Sequence, residues 1–116
     1  MGLFNFGSKE AIKVSAYKIS TGIRQIEQEL EKNNHQITPM VRGLASAINN
    51  EVRTLEKFLK PNGRTDWNLY NSTNVKTFSG EQIDFCTFEA RVNNMSQVLE
   101  QMAGNDKDDI SFRIWT

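Results

Sequence analysis

Asn33-Asn34-His35-Gln36-Ile37-Thr38-Pro39 is the stretch on which the fold turns. Its first four residues are polar, and it ends on a helix-start signal. A Thr hydroxyl accepts from an exposed amide of the first turn, and Pro suits the first helical position, where its missing N–H had no partner. On both sides the chain is periodic. Upstream, Ile12, Ala16, Ile19, Ile23, Ile26 and Leu30 recur at alternating spacings of four and three, an apolar seam along a helix predicted over 8–32 with Ser8 as N-cap. Downstream, Val41, Leu44, Ile48, Val52, Leu55 and Leu59 line a second helix predicted over 38–60 and stopped by Pro61-Asn62-Gly63. Two helices of similar length joined by a short polar loop fold back as an antiparallel hairpin. The first seam is too short for a confident coiled coil and suits a bundle face.

The charges of the first helix oppose its macrodipole. Lys9, Lys13 and Lys18 stand toward the positive end, and Glu27, Glu29 and Glu31 toward the negative end. Each such placement costs about 0.3–1 kcal/mol at an exposed terminus, so tertiary packing must hold the helix. Val14 and Tyr17 lie off the seam and give its first half a second apolar side. The apolar segment 1–7, with Leu3, Phe4 and Phe6, adjoins it.

A third helix is predicted over 80–103. Ser79-Gly80-Glu81-Gln82 has the form of a capping box, and Phe85, Phe88, Val92, Met95, Leu99 and Met102 follow at helical spacing before Gly104. Cys86, beside Phe85, reads as a small buried hydrophobe. Residues 61–79 read as irregular, with a short strand at Val75–Phe78. In the tail, Ile110, Phe112 and Ile114 alternate onto one side of a strand predicted over 110–115. A lone strand needs a partner, here either the 65–78 segment or a neighbouring subunit. The expected fold is a single domain over 1–116. It is mainly α, an antiparallel helical hairpin plus a third long helix in a three-helix bundle-like arrangement, with a minor β element.

Composition narrows the function. The chain has 116 residues, 14 basic and 14 acidic, and no formal net charge. That balance argues against a generic nucleic-acid coat, which needs surplus cations. It hides an asymmetry: residues 1–60 carry 9 basic and 6 acidic side chains, and residues 61–116 carry 5 and 8. One Cys and one His exclude an intrachain disulfide and argue against a Cys/His zinc site. No stretch approaches the ~18 apolar residues of a membrane span. Residues 1–7 lack a signal-peptide core, and Phe6 breaks the myristoylation pattern. A cytoplasmic setting is the expectation.

No Walker A loop, dinucleotide fingerprint, nucleophile elbow or His-Glu-x-x-His stretch occurs. His35 sits in a polar turn, and nothing in the sequence brings it to Cys86. The acidic run Asp106, Asp108 and Asp109 fails the EF-hand pattern, because Ser111 stands where that loop needs Gly. No catalytic residue, metal ligand or cofactor is therefore assigned. The expected function is that of a small non-catalytic interaction protein, touching a second copy or another protein through Leu3, Phe4, Phe6, Val14, Tyr17, Phe112, Ile114 and Trp115. The alternative is a nucleotide or nucleic-acid partner held by Arg53, Lys57, Lys60, Arg64 and Lys76 with Trp67 and Tyr70, cations for phosphate and rings for bases.

Overall fold

A computed structural model describes residues 2–105 and 110–115, and of residues 2–6 only the backbone. Among the described residues the fold is mainly α with one small antiparallel sheet. The order is α1 (Gly2–Lys32), α2 (Pro39–Leu59), α3 (Trp67–Ser72), β1 (Asn74–Lys76), β2 (Gln82–Asp84) and α4 (Phe85–Ala103). The acidic run Asp106, Asp108 and Asp109 lies outside the described residues.

α1 starts at Gly2, not at Ser8. No Pro interrupts residues 2–8, so the helix runs through Ser8. It stops where the polar stretch predicts. The His35 amide donates to the Leu30 carbonyl at 2.7 Å, and Asn34 and His35 sit at φ 56° and 60°. Asn tolerates this left-handed conformation, and the turn takes up carbonyls left free at the helix end. α2 then starts as its signal predicts, with the Val41 amide donating to Thr38 Oγ1 at 3.2 Å. Thr38→Ala is expected to cost about 1 kcal/mol, read as a lower urea midpoint with unchanged slope.

α1 and α2 form the antiparallel hairpin. Their closest approach is at Gly22, where a Cβ would lie 2.8 Å from Ile48 Cγ1. The Lys18–Glu51 ion pair, 3.9 Å long, lies one turn away in the same register. The two seams meet between the helices, with Ile12, Ala16, Ile19, Ile26 and Leu30 buried against Val41, Ile48, Val52, Leu55 and Leu59.

The segment after α2 departs from expectation. α3 is a short helix inside the stretch read as irregular, capped by Asp66, whose carboxylate accepts from the Leu69 amide at 3.1 Å. β1 pairs with β2, Val75 opposite Ile83. The turn between them closes through Thr77 N–H to the Glu81 carbonyl at 2.9 Å, and Gly80 takes φ 88°, a conformation that favours Gly. Ser79-Gly80 is thus a hairpin turn rather than a capping box, and α4 starts at Phe85 rather than at residue 80. Its N-cap is Asp84, which accepts from the Thr87 amide at 2.8 Å. Hydrogen bonds from Thr87 hold the Asp84 carboxyl below its ordinary range.

The tail alternates buried with more exposed residues over 110–115 but forms no strand ladder, with either 65–78 or any other described segment. Ile110, Phe112 and Ile114 are buried at 0–1% exposure, so the predicted inward face is real. Side chains of α4 satisfy its backbone. The Phe112 amide donates to Ser96 Oγ at 2.9 Å. Asn93 pairs twice with Ile114, accepting from its amide at 2.7 Å and donating to its carbonyl at 3.1 Å. On the other side, the Trp115 amide donates to Glu56 and the Trp115 carbonyl accepts from Lys60, both on the last turns of α2 or its cap. The tail therefore bridges α2 and α4, where a three-helix bundle would bring those helices together directly. α4 packs instead on α1, the sheet and α3.

Candidate functional site

Between α1, the β-turn and α4 lies an open groove of about 400 Å³. Phe88 and Val92 are its buried floor, Ile23 and Met95 are half-buried, and Val98 stands exposed at its side. These residues are the outer flank of the two seams. They are apolar because the seams are wider than the helix contact they serve. The Phe78 amide donates to Ser20 Oγ at 3.0 Å, and the Arg24 guanidinium lies 5.6 Å over the Phe78 ring. Arg91 meets Glu81 at 3.1 Å on the opposite wall. The turn is thereby tied to both helices and closes one end of the groove. The rim carries both signs: Arg24 and Glu27, 3.8 Å apart, on α1, and Arg91 and Glu81 on the other side. The sequence did not point to this groove, since its lining comes from three separate elements brought together only by the fold.

Two of the sequence-predicted contact residues stay at the surface of α1: Val14 is 55% exposed and Tyr17 45%. The side chains of Leu3, Phe4 and Phe6 lie outside the described residues. Phe112 and Ile114 are buried in the chain's own core, and of the tail only Trp115 presents its ring to solvent. The free strand expected there is occupied in holding α2 to α4.

Of the basic and aromatic residues of the alternative reading, Lys60 and Tyr70 make structural contacts and the others stand at the surface. Lys60 bonds the Trp115 carbonyl and lies 3.6 Å from Glu56. Tyr70 donates to Glu89 at 2.5 Å, and its ring meets Trp67 and Phe85 edge-on, each at 5.0 Å. Burial and the Glu89 hydrogen bond push the Tyr70 phenol well above its ordinary range, so it stays a neutral donor seating α3 on α4. Arg53, Lys57, Arg64, Trp67 and Lys76 are exposed.

Cys86 is exposed, contrary to its reading as a core residue. Phe85 takes the inward position of that turn and leaves its neighbour facing out. His35 is exposed on the α1–α2 turn. Among the described residues, no three His, Cys, Asp or Glu side chains cluster as metal ligands, and no helix is long and apolar enough to cross a membrane. Comparison with protein-family models, curated proteins and solved structures finds no match to this chain.

Proposed function

We propose that the chain is a small non-catalytic interaction protein that works by offering helix faces, with the α1–α4 groove receiving an amphipathic helix from a partner protein. The observation that carries this reading is the groove's make-up, an apolar floor between walls that each hold one Arg and one carboxylate. Helix-in-groove recognition asks for an apolar trough several turns long. The α4 wall from Phe88 to Val98 runs about 15 Å at 1.5 Å per residue, nearly three turns of a ligand helix. The mixed rim selects for a helix flanked by both signs, because a wall of one sign would repel half of its charges. The exposed free thiol of Cys86 suits a reducing cytoplasmic setting.

The test is a selection of helical peptides of about four turns from a random library, on the purified chain. Enriched peptides should carry an apolar stripe, protect amides of α4 from exchange, and lose about tenfold or more in affinity against Val98→Glu. That variant alters an exposed side chain, so its urea midpoint should match the wild type. Peptides that bind both proteins equally, or no enrichment at all, would remove the groove from the reading.

A further inference from the structure

We infer that the C-terminal half of α2, with Trp115 at its edge, is a binding surface for single-stranded nucleic acid, its cations taking phosphates and the Trp ring taking a base. This face is separate from the groove, and the inference does not depend on the groove reading.

The first observation is a set of cations without counter-charges. On α1, Lys13, Lys18, Arg24 and Lys32 each lie 3.2–3.9 Å from a carboxylate. Arg53, Lys57 and Arg64 are exposed, and among the described residues they take part in no ion pair or hydrogen bond. Lys76, also unmatched, is on β1, in the sheet packed against α1 and α4. The negative end of the α2 macrodipole accounts for Lys57 and Arg64, but that effect fades within the last turn and does not reach Arg53. A chain without net charge thus gathers three unmatched cations in one region.

The second observation is where they stand. At 3.6 residues per turn, Ser46, Asn49, Arg53, Lys57 and Lys60 fall within an arc of about 80°, turned away from the Val41–Leu59 seam. Arg64 is brought to the same end. The Gly63 amide donates to the Lys60 carbonyl at 3.2 Å, and the Asp66 amide to the Leu59 carbonyl at 2.8 Å, which folds the chain back over the last turn. Neither carboxylate of α2 opposes these cations. Glu51 turns to Lys18 of α1 at 3.9 Å. Glu56 is held by Lys60 at 3.6 Å and accepts from the Trp115 amide at 3.2 Å.

The third observation selects the ligand. Trp115 is 65% exposed, more than any other large hydrophobic side chain among the described residues. Its backbone is pinned to Glu56 and Lys60, which stand three positions beyond Arg53 and Lys57 on the same helix. The ring is therefore set at the edge of the cationic face. An acidic peptide would use the cations and leave the ring without a role. A duplex keeps its base faces inside its own stack. A single strand uses both, since any unpaired base can stack on an indole while Arg and Lys meet phosphate. Three free cations and one ring make a short site, so binding is weak, salt-sensitive and nearly indifferent to base sequence.

Fluorescence anisotropy on the full chain, with a labelled oligodeoxythymidine of about 12 nucleotides, tests this. The wild type should bind at roughly 50 mM salt, with log affinity falling against log salt at a slope of about −2, as three phosphate contacts on a single strand require. The double variant Arg53→Glu, Lys57→Glu should abolish binding and keep the wild-type urea midpoint, because both side chains are exposed. Trp115→Ala should weaken binding about tenfold or more while leaving the salt slope in place, since it removes stacking and no charge. Val98→Glu should bind as the wild type does. A wild type that does not bind, or binding that survives the double reversal, would overturn the inference. So would a duplex of the same length, or polyglutamate, bound as tightly as the single strand and with no loss in Trp115→Ala. The first would make the face a clamp for duplex phosphates, the second a dock for an acidic protein segment. Failure with the oligonucleotide leaves the groove reading standing, since Val98 and the peptide selection test that reading separately.

Discussion

Phe112→Ala is expected to destabilise the protein by about 3–5 kcal/mol, the cost of emptying a buried aromatic site that cannot fully collapse. Phe112 is 1% exposed and sits between Ile110 and Ile114, both equally buried. Its amide is fixed by Ser96, itself fully buried within α4. The surroundings are helices tied to this segment from two sides, so they have little freedom to close over the void. Domains of this size have about 5–15 kcal/mol in hand, so this single change removes a large share. Deleting residues 110–116 takes away three buried side chains and strands the Asn93 and Ser96 groups that serve the tail backbone. That truncation should not yield a cooperatively folded protein. Urea unfolding of Phe112→Ala, with Phe112→Leu as the milder control, measures the effect. A midpoint near that of the wild type would show that the tail is an accessory, and would return it to the list of surfaces available for strand addition.

The tail shows where sequence reading succeeds and where it stops. Alternation identified its inward face correctly, because burial of every second residue is a property of the extended chain alone. It could not identify what satisfies the backbone. A β-partner and a row of polar helix side chains serve the same amides, and only the second is present. One clue was available. Ser96 lies four residues after Val92 and three before Leu99, a buried seam position given to a polar residue. A hydroxyl there implies a partner, and Phe112 supplies it.

The β-turn shows a different limit. Ser79-Gly80-Glu81-Gln82 satisfies both a capping box and a hairpin turn, and local chemistry alone does not separate them. Val75 and Ile83 decide in favour of the hairpin, because pairing them across the turn turns both toward the core while Asp84 remains to cap α4. The seams, turn and Thr38 cap of the α1–α2 hairpin were legible because all are local, while the start of α1 at Gly2 rather than Ser8 was not. The groove was not. Ile23, Phe88, Val92 and Met95 were read as seam residues, which they are, and a seam does not reveal whether a neighbour covers its whole width.

Acid should loosen the tail through Glu100. Its carboxylate receives a bidentate contact from Arg113, with Nη2 at 3.0 Å from Oε1 and Nε at 3.0 Å from Oε2. The Ser96 and Ser111 hydroxyls each donate to Oε2 at 2.8 Å. The Arg113 hydrogen bonds are the main cause that carries its pKa down from 4.5 to about 2. A depressed carboxyl stabilises the fold fully above its unfolded value and ceases to do so as protons bind the folded state. The contribution is therefore complete above about pH 5 and is lost as pH falls from 4.5 toward 2. One pKa unit corresponds to about 1.4 kcal/mol. With the Glu100 side chain 16% exposed and Arg113 26%, solvent screening brings the total to on the order of 2 kcal/mol. Glu100→Gln should lose about that much at pH 7, show a flatter acid limb, and converge with the wild type near pH 2. The loss should appear as faster amide exchange at Phe112, whose amide donates to Ser96, which in turn donates to Glu100. An acid limb in Glu100→Gln identical to the wild type would locate the acid sensitivity elsewhere, and exchange unchanged at Phe112 would separate the ion pair from the tail it spans.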